Sequence, residues 1–273
     1  MSHFYDENGN SCFEVETKTG KNAGKMRPAT IRDAKANNWY PSCTTILDVI
    51  SKPSLDGWKQ NQVALAARKL LGNGTLPYNL ADEAFCGAVK EAAFEQVNEA
   101  ADLGTNVHKA LEEGLTGKAY DKTYAIYVEA VRELLAKLEI IITEHELRLV
   151  NKDFKYAGTT DGVFTCPQGY GIIDFKTCKS KEGIPMESRD TWAQQIAAYH
   201  VAKFKEMPSA LNPKIIGVNI AISTTEPGRV EAIWHSADVL DKAWRMFYHA
   251  SAYYLIKNNY ENGTTPYCHE LSL

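Results

Sequence analysis

Asp174-Phe175-Lys176 lies within Gly171-Ile172-Ile173-Asp174-Phe175-Lys176-Thr177, a largely apolar run of strand length. The two-residue period of a strand puts Ile172, Asp174 and Lys176 on one face, so a carboxylate and an ammonium project side by side. The spacing alone decides nothing. Asp33-Ala34-Lys35 and Asp153-Phe154-Lys155 repeat it, and a strand Asp and Lys two apart ordinarily form a solvated ion pair. The third copy differs in its company. Gly158-Thr159-Thr160-Asp161 places a second acid on the strand before it, and two acids on adjacent strands can share a Mg²⁺ ion that keeps several waters. Gln195 and Tyr199 lie four apart, on one face of a following helix. His108 stands four residues after Gly104 on an earlier helix, and its neutral imidazole can complete a metal shell.

Each residue also has a plainer reading. His108 beside Val107 and Leu111 fits a core histidine, Glu146 fits the exposed face of a strand shared with Leu147 and Leu149, and Gln195 and Tyr199 fit a packing stripe with Trp192 and Ile196. The order of the set favours chemistry. Hydrolysing a phosphodiester near neutral pH requires a nucleophile and relief of negative charge, which a bound divalent metal supplies.

The set resembles the PD-(D/E)xK nuclease superfamily, in the branch containing the RecB-type nuclease domain, lambda-type phage exonucleases and the mitochondrial genome-maintenance exonuclease. That branch shows G-x-x-x-H, an acid, G-x-x-D, D-x-K and Q-x-x-x-Y in this order. They are met here by Gly104 to His108, Glu146, Gly158 to Asp161, Asp174 to Lys176 and Gln195 to Tyr199. Tyr40-Pro41-Ser42-Cys43-Thr44-Thr45-Ile46-Leu47 also resembles the opening of phage-encoded members, so the likeness covers roughly residues 40 to 205. It implies Asp161, Asp174 and His108 as ligands of Mg²⁺ or Mn²⁺, with the main-chain carbonyl of Phe175 completing the shell. It also implies Lys176 orienting or deprotonating the attacking water, Glu146 serving the site directly or through water, and Gln195 with Tyr199 in a positioning role. Members with an iron–sulfur cluster bunch three cysteines near the C-terminus, where this chain has only Cys268, so no cluster is expected. The implied activity is a DNA exonuclease, phage-related, working in recombination, replication or repair, with a recombinase or single-strand-binding protein as possible companion. A structure-specific or single-strand endonuclease and a catalytically silent DNA-binding module are the alternatives.

The elements that must position these residues follow from hydrophobic period. Residues 1–38 form an N-terminal extension, and the first 40 residues read as short extended pieces and turns. Residues 39–138 are mainly helical: a short helix capped by Ser42 or Thr44, a second capped by Ser54 and ended at Gly72-Asn73-Gly74, a third reaching Gly104, a fourth from there through Leu115, and a stripe from Tyr124 to Leu138. Strands follow at Ile140–Val150, Tyr156–Thr165 and Tyr170–Cys178, then a helix over Glu187–Lys205, strands at Ile215–Ser223 and Val230–His235, and a helix over Ala237–Lys257. Residues 139–258 thus form the core and 259–273 a tail. The fold expected is α/β: a central mixed β-sheet flanked by helices, a restriction-endonuclease-like core with an α-rich N-terminal half.

The chain has 273 residues, 44% hydrophobic and 23% charged, which suits a globular protein with a large core. No run approaches the roughly 18 apolar residues of a membrane span and no signal segment is visible, so a cytoplasmic protein without membrane partners is expected. Six cysteines without a C-x-x-C pair argue against a zinc ribbon or a disulfide scaffold. There is neither H-E-x-x-H nor a P-loop. A net charge of −4 means that any DNA contact is local. Candidates are Lys59 and Arg68 within the basic stretch Lys52 to Leu71, Lys179 and Lys181 just past the D-x-K strand, and Trp58, with Trp39 and Tyr40, for stacking on bases. The oligomeric state is left open.

Overall fold

The computed structural model describes residues 3–75, 80–189 and 191–260. Cys268 and the rest of the tail from residue 261 lie outside them. In chain order the elements are β1 (Phe4–Tyr5), β2 (Glu14–Glu16), β3 (Met26–Pro28), α1 (Ile31–Asn37), β4 (Tyr40–Pro41), α2 (Cys43–Leu47), α3 (Pro53–Gly72), α4 (Asp82–Leu115) and, after a 3₁₀ turn, α5 (Ala125–Lys137). They continue with β5 (Ile141–Asn151), β6 (Tyr156–Cys166), β7 (Gly169–Cys178), α6 (Trp192–Phe204), β8 (Ile215–Ser223), β9 (Val230–His235) and α7 (Ala237–Lys257).

The last five strands form one mixed sheet in the order β5-β6-β7-β8-β9. All neighbours are antiparallel except β7 and β8, which run parallel because α6 carries the chain back across the sheet between them. Both faces are covered, which is why β7 and β8 read as nearly continuous apolar runs. On one face Ile172, Ile215 and Val163 pack with Ile196 and Ala197 of α6, Leu240 and Phe247 of α7 and Ile46 of α2. On the other, Phe164, Ile173, Phe175, Val218 and Ile220 pack with Val107 and Leu111 of α4 and Val128 and Val131 of α5. The expected central mixed sheet flanked by helices is the observed architecture.

The departures are local. α1 is a helix where turns were expected: Thr30 and Asp33 form a capping box and Asn38 closes it in the left-handed conformation. Phe4 and Ala34 from this N-terminal part are fully buried in the α6–α7 core. Ser42 caps α2 by accepting the N–H of Thr45 at 3.0 Å. The N-cap position of α3 falls on Lys52 rather than Ser54, with Pro53 at the first helical position, where the missing N–H costs no helical bond. α6 starts at Trp192 rather than Glu187. The preceding segment is pinned to the β8–β9 hairpin instead, with Arg229 donating to the carbonyls of Lys181 and Ile184, and Met186 N–H donating to Glu231.

α4 runs without a break through Gly104. A Cβ built there would sit 2.9 Å from Thr177 Oγ1 on β7, so the glycine is an approach point between helix and sheet rather than a helix end. It seats His108 one turn further on.

Two buried histidines make the fold acid-sensitive. His200 is fully buried on α6 and His235 is 3% exposed at the end of β9. Burial pushes both down to about 4, although Glu206, 3.6 Å from His200, pulls that one upward. The unfolded chain therefore binds protons that the fold refuses between roughly pH 6.5 and 4. The stability that neutral His200 and His235 contribute is fully present above that range and is lost as pH falls through it. Glu146, Asp174 and His108, all raised, act in the opposite sense over this range, so the check is a comparison: as pH falls from 7.5 to 4, the melting temperature of His235→Gln is expected to shift upward relative to that of wild type.

Candidate active site

The flanking pairs of the sheet bring four polar residues into one rung. Gly162 pairs with Ile173, so Asp161 comes opposite Asp174 across β6 and β7. His145 pairs with Gly162 and Leu147 with Thr160, so Glu146 comes opposite Asp161 across β5 and β6. Asp174 pairs directly with Asn219 on β8. The rung reads Glu146, Asp161, Asp174, Asn219.

Regular alternation fails at this rung. Glu144 reaches Lys203 of α6 at 2.6 Å, while Leu147 and Leu149 also pack toward the α6 side. Likewise on β6, Gly158 meets Tyr199 of α6 and Val163, five residues on, packs into the same core. Odd intervals on one face mean that the side-chain parity reverses between them. On β5 the reversal falls at Glu146, whose φ of +47° is left-handed for a residue that is not glycine. Such backbone is costly and tends to be kept at functional sites.

β7 keeps its alternation, and Ile172, Asp174 and Lys176 share the face toward α6 as the two-residue period predicts. Lys176 Nζ lies 3.0 and 2.8 Å from the two oxygens of Asp174 and donates to Gln195 Oε1 at 3.0 Å. Gln195 in turn donates to the Tyr199 hydroxyl at 3.0 Å. Tyr199 sits over Gly158, where a Cβ would be 2.6 Å from its ring. The G-x-x-D glycine is thus required by the Q-x-x-x-Y tyrosine. On the other side, Asp161 Oδ2 accepts the Phe175 N–H at 2.5 Å, and His108 Nδ1 is 3.9 Å from Asp161 Oδ1. Because N–H and C=O of one strand residue leave the same edge, the Phe175 carbonyl also faces β6.

Asp174 is 5% exposed at its side chain, Asp161 16% and Lys176 22%. Burial raises the Asp174 carboxyl above its ordinary value, Asp161 adds to the rise, and Lys176 opposes it. Asp161 goes the other way: burial resists its ionisation, but His108, Lys176 and the Phe175 N–H outweigh that and hold it low. His108 is raised, burial being overcome by Asp161 and Asp174. Glu146 is pushed up to about 7, by burial first and then by Asp161 and Glu112. Three carboxylates therefore crowd one rung with one lysine and one imidazole, leaving negative charge in excess.

The structure thus brings together His108, Glu146, Asp161, Asp174, Phe175, Lys176, Gln195 and Tyr199. The DNA-contact candidates stand outside this group. Lys59 and Arg68 are exposed on α3 and Trp58 is half-buried there. α3 packs against α4 through Ala66, Val89 and Ala93. Lys179 and Lys181 are exposed in the loop after β7. Two residues were missed by the sequence reading, Asn219 and His235. Asn219 Nδ2 donates to Asp174 Oδ2 at 2.8 Å, and His235 Nε2 lies 2.8 Å from Asn219 Oδ1. Their one sequence signal is an asparagine in the middle of Ile215–Ser223, an otherwise apolar strand.

No family model matches the chain. Nor does any curated protein. Among solved structures, a protein of Eubacterium rectale provisionally named an exonuclease is 13% identical, with a TM-score of 0.37, covering 71% of this chain and 73% of its own. The protein SSO0001 is 15% identical with a TM-score of 0.28, covering 67% of this chain and 84% of its own. Overlaps this shallow carry no functional weight, which rests on the site itself.

The cysteines among the described residues are unpaired, and no described helix is long and apolar enough to cross a membrane.

Proposed function

We propose that this chain is a divalent-metal-dependent nuclease hydrolysing DNA phosphodiesters, and in the finer reading an exonuclease of phage-related type. The observation that supports it is the joined constellation: Asp174 and Asp161 on one rung, Lys176 held between Asp174 and Gln195, and His108 beside Asp161.

The donor set suits Mg²⁺ or Mn²⁺. Among the described residues no three His, Cys, Asp or Glu side chains converge into a ready cluster. Asp161, Asp174, the Phe175 carbonyl and a neutral His108 would hold the ion, with water filling the remaining positions as hard cations prefer. The crowding that raises Asp174 and Glu146 is relieved by a cation placed there. When bound, the metal would supply a hydroxide-like nucleophile and charge relief on the phosphate. The chain's own residues do the rest. Lys176, held between Asp174 and Gln195, brings its positive charge to the place where the attacking water and the phosphate oxygens would lie. Gln195, locked by Tyr199, sets where that ammonium points. Glu146, opposite Asp161 on the neighbouring strand, can accept a proton at its carboxylate.

The test is release of nucleotides from end-labelled DNA with Mg²⁺ or Mn²⁺. Lys176→Ala is expected to lose about 10²–10³-fold in rate while still binding DNA. Wild-type rates in Lys176→Ala would sink the reading. Cutting of a covalently closed single-stranded circle would shift it to an endonuclease, and binding without any cleavage would leave the silent module.

A further inference from the structure

β8 carries an asparagine with no exposed surface among isoleucine, valine and alanine. A polar side chain so placed must have its hydrogen bonds met inside the protein. Asn219 stands directly opposite Asp174 in the parallel β7–β8 register. Its Nδ2 donates to Asp174 Oδ2 at 2.8 Å and lies 3.4 Å from the Asp174 carbonyl. The carboxylate only accepts, so the amide cannot turn its oxygen that way without facing like charge. Asn219 Oδ1 therefore points at His235 Nε2, 2.8 Å away, and His235 must donate from that nitrogen. His235, buried at the end of β9, holds the amide in its one workable orientation.

We propose that Asn219, oriented by His235, is a positioning residue that fixes the Asp174 carboxylate in the orientation in which Lys176 meets both of its oxygens and a divalent cation can be held. This rests on the nuclease reading above. It adds that the site extends across the sheet to β9, through two residues that touch neither metal nor substrate. Outer hydrogen-bond partners of this kind typically govern metal affinity or activity by about 10–100-fold.

The experiment uses the full chain with Asn219→Leu, His235→Leu and His235→Gln. It measures Mn²⁺ binding by calorimetry, cleavage of end-labelled DNA, and melting temperature. Asn219→Leu is expected to weaken Mn²⁺ binding and lower cleavage, each by about 10-fold or more. His235→Leu should move both in the same direction by less. His235→Gln, whose amide N–H can still donate to Asn219 Oδ1, should recover most of both. A residue that merely fills space would lower the melting temperature and leave Mn²⁺ affinity unchanged. The inference is overturned if folded Asn219→Leu keeps wild-type Mn²⁺ binding and cleavage, or if His235→Gln is no better than His235→Leu. That second comparison decides alone should Asn219→Leu fail to fold. A wild-type protein that binds Mn²⁺ but does not cleave would defeat the nuclease reading, with the calorimetry still deciding the role of Asn219. Neither binding nor cleavage in wild type would overturn both.

Discussion

Asp174→Asn is expected to reduce cleavage by about 10³-fold or more while leaving the melting temperature unchanged or higher. The loss follows from removing the one carboxylate that Lys176, Asn219 and a metal would share; a single preorganised electrostatic contact is commonly worth about 10²–10³ in rate, and this residue serves more than one. The stability half has the opposite sign to that of an ordinary buried ion pair. Burial and the facing Asp161 raise the Asp174 carboxyl despite Lys176, so near neutral pH the ionised group works against the fold. Asparagine keeps the shape, can still accept from Asn219 or Lys176, and removes the repulsion with Asp161. Sites built for chemistry often give up stability in this way. Thermal unfolding and end-labelled DNA cleavage on the same preparations decide it. Cleavage within tenfold of wild type would remove Asp174 from the chemistry. A fall of many degrees in melting temperature would make it a structural ion-pair member instead.

Gly158→Val should damage the site from a distance. Any Cβ at residue 158 would lie 2.6 Å from the Tyr199 ring and 3.1 Å from its hydroxyl, and Tyr199 is 3% exposed in a packed core. Overpacking of this kind costs about 1–3 kcal/mol. The displacement then passes through two hydrogen bonds, Tyr199 to Gln195 and Gln195 to Lys176. Misplacing a reacting group by about 1 Å can cost about 10²-fold in rate, so the catalytic loss should exceed what partial unfolding explains at assay temperature. Gly87→Ala is the control: it lies within α4 with no atom close to an added Cβ, and alanine there should be neutral or stabilise by up to about 1 kcal/mol. If Gly158→Val loses stability but keeps its rate per folded molecule, the Tyr199–Gln195 link does not control Lys176.

Much of this architecture follows from short-range pattern. Ile215–Ser223, Val230–His235 and Ala237–Lys257 were bounded correctly from period and punctuation alone, because strands covered on both faces and long amphipathic helices leave strong local signals. The shared strand face of Asp174 and Lys176 was equally legible, as was the helix face of Gln195 and Tyr199, because β7 is regular and the latter two are one helical turn apart; that the two faces meet at Lys176 and Gln195 is a fact of packing. The capping box of α1 went unread, as Thr30 and Asp33 were there without a long apolar stripe to announce a helix.

The rung itself was decided only by tertiary structure. Register is a property of two strands, and the reversal of parity around Glu146 and Asp161 cannot be counted off either strand alone. So the sequence could name Asp161 and Glu146 but not turn them toward His108 and Asp174. Nor could it connect Gly104 to Thr177, Gly158 to Tyr199, or Asn219 and His235 to Asp174, since each link spans strands or helices far apart in the chain. Spacing along one element fixes which residues can share a face; packing between elements decides which of those faces meet.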